Sequence, residues 1–372
     1  MKKDQTESKD YSYQPFVSVI IPIYNEAGVI ERRIDNLLAL EYPDDKFEII
    51  VVDSGSNDNS LEIARRTGQN NSRVTILEEG ERRGKASAIN YGKSIAKGEI
   101  ILVTDVNTIF DINVLKEITP HFSKPDVGGV GGRFVPVNDD NNMFEASVYY
   151  WELESLIRRG ESAWDSACLF HGEINAWRKD IIETDTEALA EDLEMAIRIN
   201  RKGLKIVYEP SAIAHEPVPT TYKEQIIQKK RTVIGTIQGF LKHKKYLLLP
   251  RDRYSGVIFP SHKILQIISP FLVIGWTITA VLLIWQNIFA AFIITGTSLL
   301  IYSASLVLLS IILPRYETVD KNTEKRFFRI HILYTFRYVL LHEYIILLAW
   351  KDYIFRNYYV QWEMVASTRK TD

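Results

Sequence analysis

From Ile264 to Pro314 the chain carries no charged residue. A run of roughly 50 residues, rising 1.5 Å per residue in a helix, is long enough for two helices of about 20 residues each, the length that crosses a hydrocarbon core. Trp285, Gln286 and Asn287 fall near its middle and mark a turn. The prediction is a transmembrane hairpin over 264–313, with a buried hairpin of a water-soluble protein as the plainer rival. The run divides the 372-residue chain. Before it lie a polar tail, 1–14, and a mixed, soluble-looking stretch, 15–260; after it comes a third apolar region, 331–372.

Basic residues flank the hairpin on both sides, Lys242, Lys244, Lys245, Arg251, Arg253 and Lys263 before it and Arg315, Lys321, Lys325, Arg326 and Arg329 after it. Positive charge near membrane segments stays in the cytoplasm, so both ends are predicted there. The expected location is a multi-pass cell-membrane protein with its soluble domain cytoplasmic. Within the third region, Ile332 to Trp350 contains Arg337, His342 and Glu343. Charge at mid-membrane depth is costly, so this stretch is predicted to lie at the interface or against the other helices, with a third span as the rival. The aromatic segment Tyr353 to Trp362 suits the headgroup zone.

Met1 to Gln14 lacks the apolar centre of a secretory signal. The single cysteine, Cys168, excludes an intrachain disulfide and fits a reducing compartment. A net charge of -2 argues against nonspecific nucleic-acid binding, while the basic clusters suit anionic lipid.

In 15–260, apolar strand patterns near 17–23, 47–52, 73–78 and 99–104 alternate with helical patterns near 26–40, 58–67, 85–97 and 111–122. That alternation predicts an α/β domain with a mostly parallel sheet. Ile30, Ile34, Leu37 and Leu38 supply the buried stripe of the first helix. Phe144, Val148 and Trp151 fit a later helix, and Leu204 to Tyr208 a last strand. Gly128, Gly129, Gly131 and Gly132 lack the Lys-Ser/Thr ending of a phosphate loop and read as close backbone packing before an extended segment, Arg133 to Val137. No 20- to 50-residue period repeats.

Open α/β sheets bind ligands beyond the carboxyl ends of their strands. Val17 to Glu26 (VSVIIPIYNE) is a strand that breaks at Pro22 into a polar helix start. The second strand ends in Asp53-Ser-Gly-Ser, where the carboxylate either accepts hydrogen bonds from a base or ribose or starts a turn. The fourth ends in Asp105-Val106-Asn107, two oxygen donors at i and i+2 of the kind magnesium or manganese prefers. Glu191 and Asp192 open a helical pattern, where acids either cap the helix or act as a base. Gln228 and Arg231 share one helix face. His171 and His215 have no Cys or His partner at metal spacing and read as structural.

In this order these segments, with Lys85 to Asn90 and Gly172 to Arg178, resemble the membrane-associated family 2 glycosyltransferases, the inverting enzymes that include hyaluronan, chitin and cellulose synthases. The likeness covers about residues 16–260 and continues in the tail from Gln361-Trp362 to Arg369. It implies a GT-A-like domain in which the first strand, with Pro22, Tyr24 and Glu26, flanks the nucleotide and Asp53 holds the base. Lys85 would lie near the diphosphate, and Asp105, with Asn107, would engage Mn2+ or Mg2+. Gly172, Glu173 and Arg178 would line the acceptor site. Asp192 would be the catalytic base, and Gln228 and Arg231 would cover the diphosphate. The implied donor is a nucleotide diphosphate sugar, expected to be a UDP-sugar, and the acceptor a glycan or lipid-linked molecule at the membrane.

The chemistry suits those residue types. Departure of a diphosphate builds negative charge that a cation, Arg and Lys stabilise, while the acceptor hydroxyl must lose a proton to a base. An Asp with an ordinary pKa near ~3.9 is ionised at neutral pH, so Asp192 is expected to need no tuning. Two positions depart from the family: Asn107 replaces a second Asp, which lowers the charge at the metal, and Thr232 follows Arg231 where processive synthases carry Trp, which counts against polymer synthesis. Two alternatives follow, a polyprenyl-phosphate glycosyltransferase and a nucleotide-sugar-binding protein without catalysis.

Overall fold

The computed structural model describes residues 9–137, 142–219, 221–286 and 340–358, together with Arg369 and scattered positions between 289 and 300. The chain divides into two compact units, 1–263 with 349–372, and 264–348.

The first unit is an α/β domain built on one sheet of eight strands in the order β3-β2-β1-β4-β7-β6-β8-β5. β1 (Val17–Ile23), β2 (Phe47–Asp53), β3 (Val74–Glu78) and β4 (Ile100–Val103) are mutually parallel. α1 (Ile30–Leu38), α2 (Ser60–Gly68) and α3 (Lys85–Ile95) connect them. β1 and β2 are buried on both faces, which is why they read as unbroken apolar runs rather than alternating ones. Val17, Val19, Ile21 and Ile23 pack with Ile30, Ile34 and Leu37 of α1 on one face, whereas Ile20 packs with Ala88 and Ile89 of α3 on the other. β1 lies between β2 and β4, so the connections leave it on both sides and open a crevice at its carboxyl end.

The second half of the sheet keeps it mostly parallel, as expected, but adds two reversed strands. β5 (Ile109–Phe110), β6 (Val127–Val137), β7 (Asn175–Arg178) and β8 (Lys205–Pro217) complete it. β7 inserts between β4 and β6 antiparallel to both, and β5 is antiparallel to β8. The reversal depends on the path taken through α5 (Asn142–Trp164), which strand periodicity does not encode. β8 also runs well past the segment expected from 204–208, because β6 pairs with it along most of its length. Gly129 and Gly132 of β6 are close-packing positions: a Cβ at either would lie 2.4 Å from a side-chain carbon of Phe170 or Ile174.

Two helical expectations also change. The helix expected over 26–40 begins at Ile30, because residues 26–29 form the turn into it. That expected over 111–122 becomes a short α4 (Val114–Ile118) followed by a 3-10 turn, Thr119–Ser123, with Pro120 at its start. After β7 come α6 (Glu191–Arg201), α7 (Tyr222–Lys242), α8 (Lys244–Leu248) and π-helical turns at Tyr254–Ile258 and Pro260–Ile264.

The second unit contains α9 (Leu265–Gln286). Within the stretch Tyr254–Leu283 an 18-residue window reaches a mean hydropathy of 1.9, and by length and composition this is the one helix among the described residues able to cross a membrane. Phe271, Leu272, Val273 and Ile274 are all exposed, so this turn of α9 shows apolar surface on every side. Most of the second half of the expected hairpin lies outside the described residues. In the third apolar region, residues 340–354 are helical. There Ser269 Oγ donates to Glu343 Oε2 at 2.8 Å, and Gln266 lies 3.1 Å from His342. Two of the charged or polar residues that made this region costly as a span are therefore turned toward α9.

Candidate active site

At the end of β1 the chain turns through Asn25, whose φ of 56° lies in the left-handed region that Asn tolerates. The turn is laced to the loop after β2. Asn25 N–H donates to Ser56 Oγ at 2.9 Å, Asn57 N–H to Asn25 Oδ1 at 2.8 Å, and Glu26 N–H to Ser60 Oγ at 2.6 Å. These bonds hold the two loops as one wall of a cavity of about 470 Å3. Pro22, Tyr24, Glu26, Ser54, Arg82, Lys85, Asp105 and Arg369 line it.

Asp53 sits at the base of this wall, 1% exposed. Its Oδ2 accepts from Ser56 N–H at 3.0 Å, while its buried Oδ1 has no hydrogen-bond partner. Leaving a buried carboxylate oxygen unmatched is costly, so this atom is an acceptor waiting for a donor. Arg82 stacks on the Tyr24 ring, 4.1 Å from its centroid, and presents a cation at the mouth.

Lys85, the first residue of α3, joins the two halves of the site. Its ammonium lies 2.8 Å from Asp105 Oδ1 and 2.9 Å from Glu191 Oε1. Burial alone would lower its pKa, but those two carboxylates raise it, so Lys85 is a permanent cation. Glu191 opens α6, and although burial would raise its pKa, Lys85 and Arg231 hold it below the usual range. The next residue, Asp192, is pushed the other way, up to about 6, by burial and by the neighbouring Glu191 charge. This corrects the expectation that Asp192 needs no tuning. Two adjacent carboxylates with opposed shifts are the arrangement that separates a permanently ionised group from a proton acceptor.

α7 sets the position of that pair. Gln238 Oε1 accepts from Leu189 N–H at 3.0 Å, and Arg231 Nη2 donates to Leu189 O at 3.4 Å. A Cβ on Gly235 would lie 2.6 Å from Ala190 Cβ and 2.8 Å from Ala190 N, so only glycine allows this contact. Gly235→Val is expected to leave the sheet folded yet displace Glu191 and Asp192, lowering turnover by about 10²-fold, as misplacement by about 1 Å can. Circular dichroism beside steady-state rates checks it; a fully active Gly235→Val would disconnect α7 from the site.

Asp105 follows β4 and faces Gly172, whose added Cβ would lie 3.5 Å from Asp105 Oδ2. Glu173 pairs with His171 and is buried. Asn107 is buried, its amide nitrogen facing Glu216 and its amide oxygen without a hydrogen-bond partner. A carboxylate and an unmatched amide oxygen form a hard, all-oxygen donor set, which fits magnesium or manganese. Beneath them lies Arg33, wholly buried, whose Nη2 donates to Thr104 Oγ1 at 2.6 Å and whose guanidinium lies over the Phe110 ring. Burial lowers its pKa to about 9, against the opposing pull of Asp105 and Glu216.

Of the residues expected from sequence, Pro22, Tyr24, Glu26, Lys85 and Asp105 share the cavity. Asp192 adjoins it through Glu191, and Arg231 acts on that pair from α7. Gln228, one turn before Arg231, is exposed. Arg178 is not brought to the site. It pairs with Ile100, at the start of β4, while Asp105 follows the end of that strand. Its guanidinium instead donates to the carbonyls of Val127, Phe122 and Lys124. Because β7 runs antiparallel to β4, Gly172 falls near the carboxyl end of β4, beside Asp105, and Arg178 at its amino end. His215 lies 2.9 Å from Asp111, and His171 pairs with Glu173.

Three contributors carry no local sequence signal as site residues. Arg369 donates from Nε to Glu26 Oε1 at 2.9 Å across a sequence separation of 343, and only the tail's likeness pointed to it. Burial raises the Glu26 pKa to about 7, with Arg369 opposing. Arg82 and Arg33 have no motif at all.

The crevice at a switch point, lined by Lys85 and Asp105 with Asp53 buried in its wall, defines a GT-A-like α/β fold with a mixed sheet. Residues 18–184, somewhat under half of the chain, match Glycosyl transferase family 2. It is 30% identical over 254 residues to the "Probable glycosyltransferase YdaM" of Bacillus subtilis (strain 168), covering 64% of this chain and 60% of that one. With the poly-beta-1,6-N-acetyl-D-glucosamine synthase of Staphylococcus aureus (strain MSSA476) it shares 26% identity over 264 residues, 69% of this chain and 63% of the other. The chain thus spans under two thirds of the length of these relatives. Among solved structures, a mannosyltransferase from Pyrobaculum calidifontis in complex with GDP-Man and Mn2+ matches with a TM-score of 0.70 and 24% identity, covering 94% of this chain and 90% of that one.

Proposed function

We propose that this chain is an inverting glycosyltransferase that moves a sugar from a nucleoside diphosphate sugar to a hydroxyl of a membrane-associated glycan or lipid. The observation that carries the reading is the ion-paired line Asp105, Lys85, Glu191, with Asp192 beside it tuned to about 6. Asp53 Oδ1 is free to accept from the base, and Tyr24 and Ser54 line the approach. Lys85 and Arg369 stabilise the departing diphosphate, and Arg231 adds positive charge behind Glu191. Asp105 and Asn107 would hold Mn2+ or Mg2+, which neutralises phosphate charge when bound.

Asp192 takes the proton of the acceptor hydroxyl as its oxygen attacks the anomeric carbon and the bond to the diphosphate breaks. With one base and no enzyme nucleophile, a single displacement inverts the anomeric configuration. A base poised near neutrality suits a hydroxyl acceptor, because an already ionised phosphate needs none. The tuning of Asp192 therefore favours this reading over a polyprenyl-phosphate glycosyltransferase or a protein that only binds the donor. The uncharged α9, the membrane hairpin it would begin and the basic residues before it support a multi-pass cell-membrane protein with its catalytic domain cytoplasmic. A UDP-sugar and a GDP-sugar are both to be tried.

The test is nucleoside diphosphate release by detergent-solubilised protein over a panel of nucleotide sugars with Mn2+, with acceptor extracts present. Release from one donor, with an inverted product by NMR, is expected. A product with retained configuration would overturn the single displacement, and tight donor binding without release under every acceptor would favour the binding-protein reading.

A further inference from the structure

A second cluster of chemistry-bearing side chains lies outside the donor cavity and takes no part in the reaction described above. Glu154, Arg158 and Glu161 share one face of α5, at spacings of four and three residues. Cys168 lies in the segment after that helix, wholly buried, and His262 lies in the π-helical turn Pro260–Ile264. Single π-helical turns wide of regular helix geometry recur at functional sites.

The ligand atoms of Glu161, Cys168 and His262 all lie within 4.8 Å of one another. His262 Nδ1 is 2.7 Å from Glu161 Oε1, and its Nε2 is 3.3 Å from Glu154 Oε1. Cys168 N–H donates to Glu161 Oε2 at 2.9 Å, which fixes that carboxylate with its other oxygen toward the imidazole. The second carboxylate on Nε2 supplies the outer hydrogen bond that orients a metal-bound histidine and leaves Nδ1 as the ligand atom. Thiolate, imidazole and carboxylate together select zinc over magnesium or manganese.

We propose that Glu161, Cys168 and His262 form a binding site for one thiophilic divalent cation, zinc by ligand class, with Glu154 orienting His262. Binding exchanges the thiol proton and the imidazole Nδ1 proton for one divalent ion. The ion would tie α5, the Cys168 segment and the π-helical turn together just before α9.

Cobalt substitution tests this on the full chain in detergent after chelation. Cys168 is the only cysteine, so a cobalt–thiolate charge-transfer band can arise from no other residue of the chain. One equivalent of Co2+ is expected to produce that band, and Zn2+ to remove it. Zn2+ is also expected to slow alkylation of Cys168 by at least ~10-fold, while Mn2+ leaves the rate unchanged. Asp105→Ala should keep the band, which separates this site from the donor site; Cys168→Ala should lose it. No band in the wild-type protein, with alkylation indifferent to Zn2+, would overturn the proposal and leave the cluster as an ion-paired clamp. That result stands on the wild-type protein alone, whether or not the variants fold. A band that persists in Cys168→Ala would overturn it equally.

Discussion

Asp192→Asn is expected to lower turnover by roughly 10²–10⁴-fold with little change in donor binding, the loss that accompanies removal of a general base. The wild-type rate should carry an acidic limb. Burial and Glu191 hold Asp192 up at about 6, and only the ionised form accepts a proton, so the rate rises as pH increases through about 6. In the Asn variant that limb disappears. Stability should move the other way. A carboxylate whose folded pKa is raised contributes stability while protonated and loses it as pH rises through the folded value. At pH 7.5 or so the Asn variant, free of the repulsion with Glu191, is therefore expected to have a higher Tm than the wild type, and that difference should shrink as pH falls from about 6 and vanish only below the ordinary Asp value of about 4. Rate profiles and thermal melts over the same buffers measure both. Undiminished turnover in Asp192→Asn would assign the base elsewhere or identify a phosphate acceptor.

Asp105→Ala is the second large effect. It removes the carboxylate that Lys85 holds and the charged member of the proposed metal pair. A loss of about 10²–10³-fold in turnover is expected, comparable to deleting one preorganised electrostatic contact to the leaving group. Mn2+ binding, followed by electron paramagnetic resonance, should weaken with it. The complementary change is Asn107→Asp, which adds the charge that this chain lacks. It is expected to lower the Mn2+ concentration needed for half-maximal binding by several-fold, because a second carboxylate strengthens a hard-cation site. If Asp105→Ala binds Mn2+ as tightly as the wild type, the metal is held by other residues.

The sequence and the structure divide the site in a way that follows from the range of the forces involved. β1, β2 and β4 were legible because strands buried on both faces must be continuous apolar runs, and the acids that end them interrupt those runs. Asp53 and Asp105 were readable as a pair of strand ends for the same reason. The first turn of α6 was readable too, since Glu191 and Asp192 precede a helical apolar stripe. Their opposed behaviour was not. It depends on which of two adjacent carboxylates meets Lys85, a residue more than a hundred positions earlier in the chain.

Arg178 illustrates the converse. It belongs to a segment whose first residue, Gly172, does reach Asp105, and nothing in that segment announces that β7 runs against β4. Arg33 reads as one polar residue in an amphipathic helix, but its guanidinium is wholly buried next to Thr104. Cys168 reads as a lone thiol until folding sets His262 beside it.

What the sequence determined by itself was local and periodic: which segments are strands, where each strand yields a carboxylate to the carboxyl end of the sheet, and where an uncharged helix must find an apolar surrounding. Hydrophobic burial repeats with the geometry of each element, so neighbouring residues record it. Only the tertiary structure decided the order of strands, the bridge of Lys85 between Asp105 and Glu191, the approach of Arg369 to Glu26 and the raised pKa of Asp192. Those are properties of charges and desolvation acting through space, between residues that the chain itself keeps far apart.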